Sequence, residues 1–164
     1  MTQLSMFLPH AAVGPGLPPL PERVPCISLW APYAELVVYG EKTIETRTWP
    51  WPYAAGWLVI HEAKHVDREA ERRLELRIRA MRERHAAWPK AGSSGAAIGL
   101  VYVTGCRPLL PADEEAACFY ASDPPRFAWT LDHSHVLRRP VAMRGPQKFV
   151  YLPRETVLAA LEGS

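Results

Sequence analysis

Two cations and a carboxylate, Lys42, Arg47 and Glu45, fall within six consecutive positions. Across Lys42–Arg47, Thr43, Glu45 and Arg47 alternate with Ile44 and Thr46, the signature of a half-buried strand. Period-two geometry puts Glu45 and Arg47 on one face about 7 Å apart, with Lys42 at the mouth. Lysine offers a point cation for phosphate, and arginine a planar fork for phosphate or base edges. A carboxylate between two cations is favoured in its ionised form and accepts a hydrogen bond from a nucleobase amine or from a water it orients. The set therefore suits binding of a phosphorylated base. It equally suits metal-free phosphodiester cleavage, with Glu45 as base and Lys42 or Arg47 stabilising charge on phosphate, or activation of water for deacylation. A structural Glu45–Arg47 ion pair with Lys42 on the surface is the plain alternative.

Trp30, Trp49, Trp51 and Trp129 supply flat surfaces on which a base stacks at about 1–3 kcal/mol. Trp57 opens an apolar run and reads as core. His61 and Lys64 form a second polar cluster at a strand end, where a lone histidine is usually structural. His133 and His135 are one residue apart, with only Asp132 as a neighbouring carboxylate, which disfavours a metal site. Cys26, Cys106 and Cys118 are widely spaced, lack zinc-ligand spacing, and read as small buried hydrophobes in a reducing compartment. No P-loop, dinucleotide fingerprint or Ser/His/Asp arrangement is present, so neither metal nor cofactor is expected. From His133 to Arg154 there is no carboxylate, but there are Arg138, Arg139, Arg144, Lys148 and Arg154: either a basic loop and strand or one wall of an anion-attracting face.

The elements that must position these groups follow from patterning. The 164 residues suit one domain, preceded by a proline-rich leader over 1–25 that carries six of the 17 prolines, so the domain is expected over 26–164. In the leader, Leu4, Met6, Phe7 and Leu8 would be exposed unless it lies along the domain. No long apolar segment or signal-like start is present, so a cytoplasmic protein without membrane association is expected. The net charge of +2 does not by itself mark a nucleic-acid binder. A strand is expected over Cys26–Leu29, then a helix started at Pro32 and stopped at Gly40. Gly56–Ala63 reads as a central strand. Asp67–His85 reads as one long helix with Ala70, Leu74, Ile78 and Met81 as its apolar stripe. Its seven arginines are interleaved with five acidic residues as a solvated salt-bridge face. A loop follows at 91–95, a long strand over Ala96–Leu110 bent at Gly105, a short acidic helix over 111–121 and a turn at 123–125. Phe127–Leu131, Val136–Met143 and Lys148–Leu152 read as three closing strands, and Arg154–Leu161 as a terminal helix. Many short strands with few helices favour a barrel.

The run from Ile27 to Trp49 resembles the opening of the ASCH (activating-signal-cointegrator homology) family, whose Gly-x-Lys-x-x-Glu-x-Arg hallmark is matched by Gly40, Lys42, Glu45 and Arg47. Trp57-Leu-Val-Ile-His-Glu-Ala-Lys64 is similar to the family's strand ending in His-Ala-x-Lys. Phe127-Ala-Trp-Thr-Leu131 resembles its Tyr-Ala-Trp strand, and Arg138–Gln147 its Pro-Val-x-x-Arg-Gly-x-Gln segment. The resemblance implies an α+β fold, a PUA-like mixed β-barrel with a few flanking helices, and a cleft where the Lys-Glu-Arg strand meets the first helix. Trp30, Lys42, Glu45, Arg47, Trp49, His61, Lys64, Trp129 and Arg144 are the candidate ligand-binding residues, with Lys42, Glu45 and Arg47 catalytic if the protein is an enzyme. The implied partner is RNA or a nucleotide-like small molecule, with DNA also open and the oligomeric state undetermined. Family members serve as recognition modules in transcription, translation and RNA processing. Some relatives cleave RNA, and one branch deacylates acetylated cytidine with a threonine nucleophile three residues after the lysine. Glu45 stands at that position here, so acyl transfer through threonine does not match; Thr43 and Thr46 are nearby hydroxyls, but Thr46 is expected to face away from Glu45.

Overall fold

A computed structural model describes residues 13–85, 94–120 and 125–163. The expected placement of Leu4, Met6, Phe7 and Leu8, most of the 91–95 loop and most of the 123–125 turn lie outside the described residues. The elements run β1 (Arg23–Ala31), α1 (Tyr33–Val38), β2 (Ile44–Arg47), β3 (Gly56–Val66), α2 (Arg68–Arg73), α3 (Glu75–Arg84) and β4 (Ala96–Pro108). A 3₁₀ turn (Pro111–Asp113), α4 (Glu114–Ala117), β5 (Phe127–Ala142), β6 (Val150–Pro153) and α5 (Arg154–Glu162) complete the chain. None of the described helices is long and apolar enough to cross a membrane.

The α+β class holds, but the barrel does not. The six strands form one open mixed sheet in the order β2-β5-β4-β3-β1-β6. Among the described residues no pairing joins β2 to β1 or β6. Closure fails because both outer strands are short. β2 has four residues and is followed by Pro50 and Pro52, which lack the N–H a ladder needs. β6 pairs with β1 only over Arg23–Cys26 before the chain turns into α5.

Patterning accounts for most of the rest. Leu58 and Ile60 of β3 pack in one core with Ile27, Leu29, Val37 and Trp129, while Trp57 and Val59 point into a second with Val24, Leu100 and Val157. A central strand buried on both faces reads as a continuous apolar run, and β3 does. Leu20 is buried in the second core, and Trp57 Nε1 donates to the Pro18 carbonyl at 2.8 Å, which fastens residues 13–22 to the sheet. The stripe Ala70, Leu74, Ile78 and Met81 is buried against Leu36 and Cys118. The single helix expected over 67–85 is instead two, broken at Leu74 (φ −104°, ψ 11°). Phe127–Leu131 and Val136–Met143 are one strand, because pairing with β4 continues through the irregularity at His133 (φ 49°). Register also slips between Val103 and Gly105, where a bend was expected. Cys26 and Cys118 are buried, but Cys106 is exposed, contrary to its reading as a buried hydrophobe.

Helix α1 sits directly on the sheet. Gly99 of β4 leaves room for Val38, and a Cβ there would collide with both Val38 methyls. Past α1, Gly40 takes a positive φ of 76°, and the Glu41 and Lys42 amides both donate to the Leu36 carbonyl. That wrap tucks Lys42 beneath the helix and aims the chain into β2.

Candidate functional site

Among the described residues, one edge of β1 has no strand beside it from Ile27 to Ala31, and β2 pairs with β5 alone. The two free edges border an open cavity of about 330 Å³, with Ser28, Leu29 and Trp30 on one side and Glu45, Thr46 and Arg47 on the other. Arg47 spans the gap, its Nη2 donating to the Ser28 carbonyl at 3.0 Å. Its Nε lies 3.2 Å from Glu45 Oε1 but off line for a hydrogen bond, so the contact is an ion pair held by charge. Thr46, expected on the opposite face from Glu45, also borders the cavity, because a strand at an open edge presents its flank as well as one face.

Lys42 is only 2% exposed, which differs from the cation expected at the mouth. Its Nζ donates to the carbonyls of Ile44 and Ala117 at 2.5 Å each and lies 3.5 Å from Glu45 Oε2. All three ammonium protons thus have a partner. Burial pulls its pKa below the ordinary lysine value, and the Glu45 carboxylate pulls in the other direction. Lys42 therefore supports Glu45 from below, and Arg47 touches it from the side.

Besides Ser28 and Leu29, the cavity lining contains Arg126, Tyr33, Asp67 and Phe119, none of which was among the candidate site residues. Arg126 donates through Nε to Thr46 Oγ1 at 3.2 Å and through Nη2 to the Thr46 carbonyl at 3.0 Å, and its guanidinium lies 4.7 Å from the Phe119 ring centroid. Burial lowers its pKa, with Glu45 opposing and Arg47 adding to the effect. The signal for it lay in strand pairing: Arg47 faces Phe127, so Arg126 stands one residue past the end of the ladder. Asp67 caps α2 through Oδ1, which accepts from the Ala70 amide at 2.9 Å, and its Oδ2 accepts from Tyr33 Oη at 3.4 Å. Burial and Asp67 push the Tyr33 phenol up to about 12, so it keeps its proton and donates.

The structure brings Trp30, Lys42, Glu45 and Arg47 together at the cavity and sends the other candidates elsewhere. Trp30 is 52% exposed at the rim. Trp129 is fully buried, and Trp49 is half-buried and packs edge-on to it at 4.9 Å; Trp51 and Phe149 complete this aromatic cluster. Trp57 is core, as expected. His61 is buried behind Ser28. Its Nε2 must carry the proton it donates to the Met143 carbonyl at 3.0 Å, which leaves Nδ1 to accept from the Ser28 hydroxyl at 2.9 Å. Burial lowers its pKa, in keeping with that neutral ring. Lys64 and Arg144 are exposed and lie outside the cavity lining. The basic residues between 133 and 154 are divided: Arg139 donates to the Gly163 carbonyl beyond α5 and Arg154 to the Leu20 carbonyl, while Arg144 and Lys148 lie exposed in the loop before β6.

The family model described as the ASCH domain matches residues 27–136. The crystal structure of ASCH from Zymomonas mobilis superposes with a TM-score of 0.55 at 17% identity, over 86% of this chain and 96% of that one. Two point mutants of the Zymomonas mobilis protein superpose at 0.51 and 0.50, each at 18% identity, over 82% and 80% of this chain and 92% of theirs. No curated protein matches the sequence.

Proposed function

Because the chain belongs to the ASCH domain family, with its general association with RNA and nucleotides, we propose that it binds RNA or a nucleotide-like ligand in the cavity between β1 and β2. The observation that carries this reading is the division of the cavity walls. Arg47 and Arg126 stand on the β2 side, and an exposed tryptophan, Trp30, stands on the β1 side. A phosphate meets two guanidinium forks while its base stacks on an indole. Lys42 has no donor left for a ligand, so the phosphate contacts fall to the arginines. Glu45 remains in reach as an acceptor for a base amine. A bound nucleic acid is in keeping with a cytoplasmic setting, as is the exposed thiol of Cys106.

Glu45 beside two arginines also favours a second reading, hydrolysis of RNA or of an acylated nucleoside with Glu45 as base. One experiment serves both. Titration of wild type with a short single-stranded RNA at several salt concentrations should give measurable affinity. Arg126→Ala should weaken it by about 10- to 100-fold, the worth of a charge-assisted bond, and flatten the salt slope by about 0.7 per phosphate lost. Unchanged affinity and slope in Arg126→Ala would remove the cavity as the binding site. Recovery of the RNA intact after incubation rules out cleavage, whereas products that vanish with Glu45→Gln would establish it.

A further inference from the structure

Building on that reading, we infer that the cavity is the inner end of a track for a single-stranded oligonucleotide, with a second nucleotide position formed by Trp30, His65, Lys64 and Arg144 at the adjoining end of the sheet. The cavity lies at the small end of the roughly 300–1,000 Å³ range of ligand pockets, so it takes one nucleotide unit and the rest of a chain must leave through an open side. Two described surfaces adjoin its lining. Beyond Tyr33 a smaller hollow of about 210 Å³ is bordered by Asp67 and Glu69, whose charge opposes a phosphate, with Arg73 as the sole cation among the described residues of its lining. Beyond Trp30 the surface has the opposite character.

There His65 packs edge-on against Trp30 with centroids 4.2 Å apart, which sets a second aromatic ring beside the one at the cavity rim. Lys64, the residue before His65 in β3, lays its aliphatic stem over Gly95, where a Cβ would come within 2.9 Å of its Cε. Such a stem leaves the ammonium in solvent. Gly95 in turn accepts from the Met143 amide at 3.2 Å, which brings the chain bearing Arg144 to the same end of the sheet.

Arg144 projects from a fixed backbone. Its predecessor's carbonyl is held by His61, and its successor, Gly145, sits so close that a Cβ would lie 2.8 Å from both His61 Cε1 and Ser28 Oγ. Ser28 borders the cavity, and its carbonyl accepts from Arg47, so the backbone just after the outer arginine packs on the residue that the inner arginine touches. Of the acidic groups on the neighbouring elements, Glu62 is buried, so its carboxylate is not on the surface a strand would follow, and Asp67 accepts from Tyr33 Oη and the Ala70 amide. An exposed arginine on a held backbone, a surface lysine and a second aromatic ring beside a one-nucleotide cavity fit a strand whose next phosphate and base lie outside it.

The test compares uridine 5′-monophosphate with octauridylate on wild type and on Lys64→Ala/Arg144→Ala, by calorimetric titration over a range of salt. Wild type should bind the octamer about tenfold or more above the mononucleotide, with a steeper salt slope. The double variant should cut that affinity ratio about tenfold and lower the octamer's slope by about 1.4, two phosphate contacts at about 0.7 each. An octamer no tighter than the mononucleotide, or a ratio unmoved by the double variant, overturns the track while leaving the inner site standing. If neither ligand binds, the inner site itself fails and the track with it.

Discussion

Replacing Lys42 by alanine should lower the unfolding free energy by about 3–5 kcal/mol, the cost of breaking a buried ion pair from one side. The substitution strips Glu45 of one of its two ion-pair partners and leaves the carbonyls of Ile44 and Ala117 without the donor that now satisfies them. Those carbonyls belong to β2 and α4, so the loss falls on the seating of the strand that carries Glu45 and Arg47. Urea unfolding reads this directly. Lys42→Met/Glu45→Gln, which removes both charges at similar volume, should recover part of the loss, and a double-mutant cycle then yields the coupling. A pH series adds a sign. The folded-state pKa of Lys42 lies below its ordinary 10.5, so between the two values the unfolded chain holds the extra proton. Wild-type stability should therefore rise with pH across that window, and Lys42→Met should lack the rise. A Lys42→Ala protein as stable as wild type would mean that the ammonium is not buried as described.

Trp129→Ala should be comparably damaging, at about 3–5 kcal/mol of stability, because the indole is fully buried among Trp49, Trp51 and Phe149. Its Nε1 has no hydrogen-bond partner among the described residues. Trp129→Phe keeps most of the packing and removes an unpaired donor, and should cost far less. Had the ring been a stacking platform for a base, alanine would instead abolish RNA binding and leave the melting transition in place. Thermal melts and titrations on the two variants separate these outcomes. A Trp129→Ala protein that melts like wild type but no longer binds would move the residue out of the core.

The contrast between Lys42 and Trp129 shows which parts of the site were legible in sequence. Alternation along Ile44–Arg47 places Glu45 and Arg47 together, and the spacing of Gly40, Lys42, Glu45 and Arg47 marks the family, because both depend on residues close in the chain. The acceptors that bury Lys42 include a carbonyl 75 residues away, at Ala117, which no local pattern shows. Arg126 needs the β2–β5 register, and the aromatic cluster needs Phe149 folded back beside Trp49. The stripe in α2 and α3 was readable from its spacing, but the break at Leu74 was not, since leucine is a strong helix former and carries no local signal for a break. Strand content likewise pointed to a barrel, although closure depends on whether two distant edges meet.

Among the described residues they do not meet, and the Arg47 guanidinium thrown across to the Ser28 carbonyl links the two margins. An occupant touching both sides would act as a missing stave, joining margins that the polypeptide leaves apart. The energy of that joining would appear as added resistance to unfolding, at RT ln(1 + [L]/Kd) for a ligand that binds the folded form alone. A sheet that had sealed itself along this line would have no room there for any guest.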